Sequence, residues 1–442
     1  MATIAERIEK LPMTRTAWTI LMIVGVGWMF DAMDQGMVSG VIASIGTDWN
    51  LSLYEKSWLI NSGIIGMILG AALSGIIADR WGRRRVITVT LLIYSAGSAL
   101  CGLSTEYWML IVFRFITGFG LGGELPAAST LVTEMSPAAS RGRNVVLLES
   151  FWAWGWIAAS MVSFLAIPEF GWRAAFFIGA LPALFAAVLR FGVPESPRYL
   201  EIKGKHSEAD AVVSKMEREA GIEPSDSGPE NISAKKDRGL FFRLWNKDNI
   251  RSTAVLWVIW FGINFGYYGF VLWTPDLLVN RGFSMVRSFG YIVIMCFAQL
   301  PGYFSAAYLI EKIGRKPTLI IYFAGTAVAS WLFGHAGSEL SILITGCLLY
   351  FFALGAWGCV YSYTPEVYPT EIRGSGTGWA SAFGRVGAFI APFIVPALYG
   401  MYDKDTGFVM VFIVLTICFA AVAVTVALFA RETKGKNLAD SQ

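Results

Sequence analysis

From Ala17 to Ile45 almost every position is apolar, and runs of this kind recur to the far end of the chain, separated by short polar connections. A run of about 18 residues or more crosses ~30 Å of hydrocarbon as a helix. Twelve such spans are predicted, at 17–45, 57–78, 86–104, 107–134, 144–167, 172–192, 251–279, 286–310, 317–336, 340–364, 375–398 and 408–430. The residue-by-residue alternation of a transmembrane barrel is absent, so the expected class is an all-α membrane protein. The first run is too long for a signal-peptide core and lacks a small-residue cleavage site, so it is expected to be retained.

Charge then orients the spans. Only 15% of the 442 residues are charged, against about 25% in soluble domains. Of the 35 Lys and Arg, the predicted outer loops hold Lys56, Arg173, Arg281, Arg287 and Lys404, and Arg114 and Arg385 lie inside spans; the rest fall on one side. The positive-inside rule puts that side, and both termini, in the cytoplasm. The net charge of +3 is therefore orientation rather than a nucleic-acid surface, because basic stretches such as RWGRRR have no interleaved aromatic platform. All five cysteines fall in spans without CxxC spacing, so neither a metal nor a cofactor is expected. Short outer loops without cysteine point to a bacterial inner membrane.

Residues 199–250 form the one long polar stretch and separate six spans from six, giving an N-terminal bundle over 1–198 and a C-terminal bundle over 251–442. The halves echo each other. Asp79-Arg80-Trp81-Gly82-Arg83 follows span 2 and Glu311-Lys312-Ile313-Gly314-Arg315 follows span 8. Glu134 and Arg141 follow span 4 and Glu366 and Arg373 follow span 10, and every pair is 232 residues apart. One basic loop is read as orientation alone; two motifs in one register read as a duplicated six-helix unit, the layout of carriers that rock about a midplane site. Physically, an acid at a helix end and the arginines of the next loop form a cytoplasmic latch, and Gly82 and Gly314 supply the turn.

These motifs, with Arg114-Phe-Ile-Thr-Gly118, PESPR at 194–198, PEVYPTEIRG at 365–374 and RETKG at 431–435, resemble the major facilitator superfamily. The resemblance covers the whole chain and lies in the branch of sugar porters, organic-ion transporters and synaptic vesicle glycoproteins. GWMFDAMDQG, GLGGELPAASTLV, LLESFWAWGW, FGYYGFVLW and LGAWGCVYSYTPE are similar to bacterial nicotinate (niacin) uptake proteins. The resemblance implies a monomeric, multi-pass carrier whose partners are a small molecule, a proton and the bilayer.

A charge inside a span costs about 2.5–3.5 kcal/mol on insertion scales, so each needs a partner or a purpose. Asp31, Asp34, Arg114, Glu124, Glu149, Asp276 and Arg385 are such charges. Asp276 follows Pro275 near a span end and reads as reaching water. Asp34 and Arg114 both fall in the outward halves of their spans, and the resemblance to proton-coupled sugar porters implies a pair that couples protonation to substrate release; a packing-only ion pair is the plain alternative. Asp31 shares a helix face with Asp34, and like charges this close push one of the two toward protonation. Which one titrates stays open in the sequence. Arg385 sits roughly 15 Å into span 11, where the resemblance to organic-anion transporters implies a substrate-binding arginine. A guanidinium offers a planar fork to a carboxylate; the alternative is a permanent pair with Glu149 or Glu124. Glu149 is also a candidate gate for Arg385.

Aromatic residues are 14% of the chain and belong by default to lipid-facing or interfacial positions. Trp152 and Trp156 on span 5, Tyr267 and Tyr268 on span 7, and Trp357 and Tyr361 on span 10 lie at the depth and motif positions of the cavity and would stack a flat ring. Phe-Trp on span 5, Tyr-Tyr-Gly on span 7 and Trp357, nine residues before Glu366, also match ligand-pocket positions of the synaptic vesicle branch. Asn264 and Gln299 are candidates for a ring nitrogen. No Ser/His/Asp set can be drawn and no P-loop is present, so neither an enzyme nor an ATP-driven pump is expected. The combined expectation is proton-coupled uptake of a small aromatic carboxylate, nicotinate first, with benzoate-type acids, sugars or a non-transporting sensor as alternatives.

Overall fold

The structure is a computed structural model that describes residues 3–137, 141–224, 240–368 and 372–434. Among them there is no strand. A short α1 (Ile4–Lys10) precedes α2 (Arg15–Asp48), α3 (Leu53–Trp81), α4 (Arg83–Gly102), α5 (Tyr107–Glu134) and α6 (Arg141–Leu165). The short α7 (Ile167–Phe170) leads to α8 (Trp172–Ala180), which runs through a 3₁₀ turn into α9 (Phe185–Gly192). The polar linker contributes α10 (Pro197–Ile202), α11 (His206–Glu219) and α12 (Leu240–Leu244). The second set is α13 (Ile250–Val271), α14 (Thr274–Asn280), α15 (Met285–Ile313), α16 (Arg315–Gly334), α17 (Glu339–Glu366), α18 (Arg373–Met401) and α19 (Lys404–Phe429).

Eleven helical segments among the described residues are long and apolar enough to cross a membrane. The remaining predicted span is α6, 25 residues long; Glu149, Trp152, Trp154 and Trp156 lower its mean hydropathy. The duplication is visible in helix lengths. α3 and α15 both have 29 residues, α4 and α16 both 20, and α5 and α17 both 28, each pair in the 232-residue register. One difference has a sequence cause. Pro275 lacks an N–H and α13 stops before it, whereas its counterpart Ala43 lets α2 run unbroken for 34 residues.

Apolar burial cannot drive helices together in lipid, so close backbone approach carries the packing. A Cβ at Gly66 would strike the backbone of Phe115 and Phe119, and one at Gly118 would strike Gly63, so α3 and α5 touch main chain to main chain. By compactness, Met1–Gln35, Ser62–Ala159 and Arg173–Lys235 form one unit, and Gly36–Asn61, Ser160–Trp172 and Lys236–Gln442 a second, as far as their residues are described. In the first unit the linker helix α11 buries Ala209 and Val213 against Ile4, Ile8 and Leu200. Arg7 locks this apolar seam, donating to Glu217, Asp210 and Ser214. His206, within the long polar stretch, opens α11 as an exposed residue.

Candidate transport site

In the first unit, Arg114 Nη1 on α5 donates to Asp34 Oδ2 on α2 at 2.9 Å. Ser98 Oγ on α4 donates to Asp34 Oδ1 at 3.0 Å and also lies 3.0 Å from the Phe176 carbonyl. Asp34 is 1% exposed and Arg114 4%, so the pair is isolated from water and each charge is answered by the other. Asp31 lies one helical turn away and does not join them. It is fully buried, faces Glu124 of α5 and Tyr94 of α4, and neither of its oxygens accepts a hydrogen bond among the described residues. One further turn along α2, the indole of Trp28 faces Glu149 on α6 and stands 5.0 Å from Trp152, ring to ring. Trp152 is half-buried and Trp156 is buried.

The second unit carries the opposite charge. Arg385 on α18 is half-buried, forms no ion pair among the described residues and acts electrostatically on Tyr268 of α13. Tyr268 is edge-on to Tyr267, whose ring is in turn edge-on to Trp357 of α17 at 5.9 Å. Trp357 stacks on Tyr361 at 5.6 Å and 27°, and Trp260 stands perpendicular to Tyr361 at 5.4 Å. Trp260 is held by its own N–H, which donates to Thr364 Oγ1 at 3.0 Å. Gln299 on α15 is 1% exposed, and both ends of its amide lack partners among the described residues. The indole N–H of Trp357 is likewise unanswered. Such buried polar atoms are costly unless a ligand or water meets them. Asn264 is not available in this way, because its amide donates to the Trp260 carbonyl at 2.8 Å.

Two sequence readings change here. Asp276 does not reach water: it is 2% exposed and accepts a hydrogen bond from Lys56 Nζ at 2.6 Å, with Asn280 on its other oxygen at 3.1 Å. Lys56, read as an outer-loop charge, is 7% exposed. Their neighbour Ser57 donates to the Pro392 carbonyl at 2.7 Å.

The repeated loop motifs form a matched pair of clusters. Arg83 donates to Glu134 at 3.2 Å in the first unit, and Arg315 donates through Nε and Nη2 to Glu366 at 2.9 and 3.0 Å in the second. Gly82 and Gly314 have φ of +98° and +101°, which a side chain rarely adopts. Two acids not singled out in the sequence complete the clusters. Glu195 of PESPR accepts from the N–H groups of Arg83 and Arg84, and Glu432 of RETKG from those of Arg315 and Lys316. Ser196 and Thr433 then reach Glu134 and Glu366. The signal was the acid's place in two equivalent motifs. Glu311 adds a 3.2 Å pair to Arg315, and Arg80 is exposed. The side chains of Asp79, Arg141 and Arg373 lie outside the described residues.

The profile of the sugar (and other) transporter family matches residues 20–442. The chain belongs to this family. It is 47% identical over 435 residues to the niacin transporter NiaP of Acinetobacter baylyi, covering 98% of both chains. It is 28% identical to a synaptic vesicle 2-related protein of Xenopus laevis, covering 99% of this chain and 82% of that one. A partially occluded inward-open structure of the Escherichia coli xylose transporter XylE matches with a TM-score of 0.76 at 21% identity, over 96% of this chain and all of that one. The fold is therefore that of the major facilitator superfamily, and the named relatives are transporters, not enzymes.

Proposed function

We propose that the chain is a proton-coupled importer of a small aromatic monocarboxylate, nicotinate first, working by alternating access in a bacterial inner membrane. The observation that carries the reading is Arg385: a half-buried guanidinium without an ion pair among the described residues, next to the Tyr268–Tyr267–Trp357–Tyr361 aromatic series. A carboxylate would take the fork of Arg385 while the ring packs on the aromatic faces. Gln299 supplies a polar group for a heteroatom. The substrate named for the Acinetobacter baylyi relative, niacin, has this chemistry. Glu149 is proposed to act in gating and Trp152 in binding.

Bringing an anion into an inside-negative cell opposes about 2.3 kcal/mol per 100 mV. A proton carried with it cancels that charge and adds the pH gradient as a drive. Asp34 is proposed as a proton carrier, with Arg114 holding its charged form and Ser98 orienting it. The test is uptake of labelled nicotinate into proteoliposomes under an imposed pH gradient, with benzoate, nicotinamide and xylose as competitors. Accumulation above the outside concentration, with competition by carboxylates but not by xylose, is the expected result. Asp34→Asn should keep exchange of pre-loaded substrate and lose pH-driven accumulation. Binding without accumulation would identify a sensor and overturn the proposal.

A further inference from the structure

The first unit contains more acid than the Asp34–Arg114 pair explains. Asp31 and Glu124 are each 0% exposed, and none of their four carboxyl oxygens has a hydrogen-bond donor among the described residues. The two carboxyls nevertheless approach each other from α2 and α5, Glu124 lying against the face of α2 that carries Gly27 and Asp31. Two carboxylates in that position repel one another and have lost their water, so the arrangement persists only if a proton lies between them. The site is also built from other sides. Gly27 has no side chain where a Cβ would lie 2.7 Å from Glu124 Oε1, which leaves room for the carboxyl. The hydroxyl of Tyr94 on α4, fully buried and without a hydrogen-bond partner among the described residues, lies near Asp31.

The charged and titratable groups around the pair are Asp34 on α2, which is taken by Arg114 of α5, Tyr94 on α4, and Glu149 of α6, one turn along behind Trp28. Along one face of α2 the residues Asp34, Asp31 and Trp28 thus meet Arg114, Glu124 and Glu149 in turn, a spacing of three residues that follows the helix. The last of these, Glu149, is the least buried of the acids at 9%.

We propose that Asp31 and Glu124 form a second proton-binding site, with Tyr94 as its third member, so that the carrier moves two protons with each substrate anion. Loading adds one proton from solution to a carboxylate oxygen, making an O–H that donates to the other carboxyl; release returns that proton to solution and leaves two carboxylates. The proposal rests on the proton-coupled reading above. It changes the charge moved per cycle from zero, for one proton and one monocarboxylate, to one positive charge inward.

The experiment measures nicotinate accumulation in proteoliposomes of the full chain, with pH gradient and membrane potential set independently. With no pH gradient, an inside-negative potential should raise accumulation by the wild type by about 50-fold per 100 mV. Glu124→Gln, which mimics the protonated acid, should respond to the pH gradient and lose the response to potential. A wild type indifferent to potential, or a Glu124→Gln carrier with undiminished response, would overturn the second site while leaving proton coupling at Asp34 standing. Loss of all proton drive in the wild type would instead remove the parent reading. If Glu124→Gln fails to fold, infrared spectroscopy of the reconstituted wild type and of Asp34→Asn decides. A protonated-carboxyl band at neutral pH that survives Asp34→Asn supports the shared proton; its absence from the wild type refutes it.

Discussion

The two repeats agree at the span ends that carry the repeated loop motifs and disagree inside their spans. At the ends, arginine, partner glutamate, turn glycine and capping glutamate are duplicated: Arg83, Glu134, Gly82 and Glu195 against Arg315, Glu366, Gly314 and Glu432. Inside, the 232-residue register sets Asp31, Asp34, Arg114, Glu124 and Glu149 against Ile263, Gly266, Gly346, Ala356 and Ser381, and sets Arg385 against Ala153. Every acid of the first set is opposed by a neutral residue. The latch is shared by both copies of the duplicated scaffold, whereas each interior charge belongs to one copy alone. Under the proposed function, that division assigns the proton chemistry to the first repeat and the anion chemistry to the second.

The comparison can be broken most severely at Lys56. The second unit does contain one buried acid, Asp276, but it has a cation, so it models what an acid inside this protein looks like when it is held charged. Removing one member of such a pair leaves an uncompensated buried charge and costs about 3–5 kcal/mol. Lys56→Ala should therefore lower the apparent melting temperature in detergent strongly, and Lys56→Met with Asp276→Leu should recover most of the loss. Glu124→Gln should show no comparable loss, because a shared proton already leaves only one negative charge on the pair and the amide can donate in that proton's place. Equal destabilisation by both single variants would erase the distinction between paired and unpaired acids.

A smaller effect, on function rather than folding, is expected at Arg385. Arg385→Ala should weaken nicotinate binding about 100-fold, on the order of 2.7 kcal/mol for a lost charge-assisted bidentate contact, with the melting temperature little changed. Arg385→Lys should restore charge but not the fork, giving an intermediate affinity by ligand-dependent thermal shift. Unchanged affinity in the alanine variant would remove the anion assignment from the second repeat.

Much of this was legible in the sequence, for identifiable reasons. Span lengths follow from bilayer thickness, and the repeat shows because glycine and arginine are demanded by turn geometry at fixed positions. The approach of Asp34 to Arg114 could be named because each sits in its own motif. The meeting of Asp31 with Glu124 could not, since it depends on how α2 passes α5, where Gly27 leaves room for the Glu124 carboxyl, and no periodicity encodes that approach. Lys56 and Asp276 were misread because proximity to a span end suggests water, while the fold places a partner there instead. The interruption before Pro275 is local and readable; the partner across the turn is not.

The smallest expected effect lies where the repeats agree, at the capping glutamates. Glu432 is partly buried, which opposes ionisation, but N–H groups of Lys434, Arg315, Lys316 and Thr433 outweigh this and hold its carboxyl below the usual range. A carboxylate with a lowered folded-state value adds stability that is present above its unfolded value and is lost as the pH falls through the folded one. Acidification below the ordinary glutamate range should therefore loosen the N-terminus of α16. Glu432→Gln should remove the charged cap at a cost of about 0.5–2 kcal/mol and flatten that acid dependence. Glu195→Gln, at the equivalent place in the first unit, should cost a similar amount because the same two helix N–H groups lose their acceptor. Hydrogen exchange at the amides of Arg83, Arg84, Arg315 and Lys316 reads the two sites side by side. Protection lost at only one of them in its own variant would mean that the clusters, though duplicated in geometry, no longer share a mechanical role.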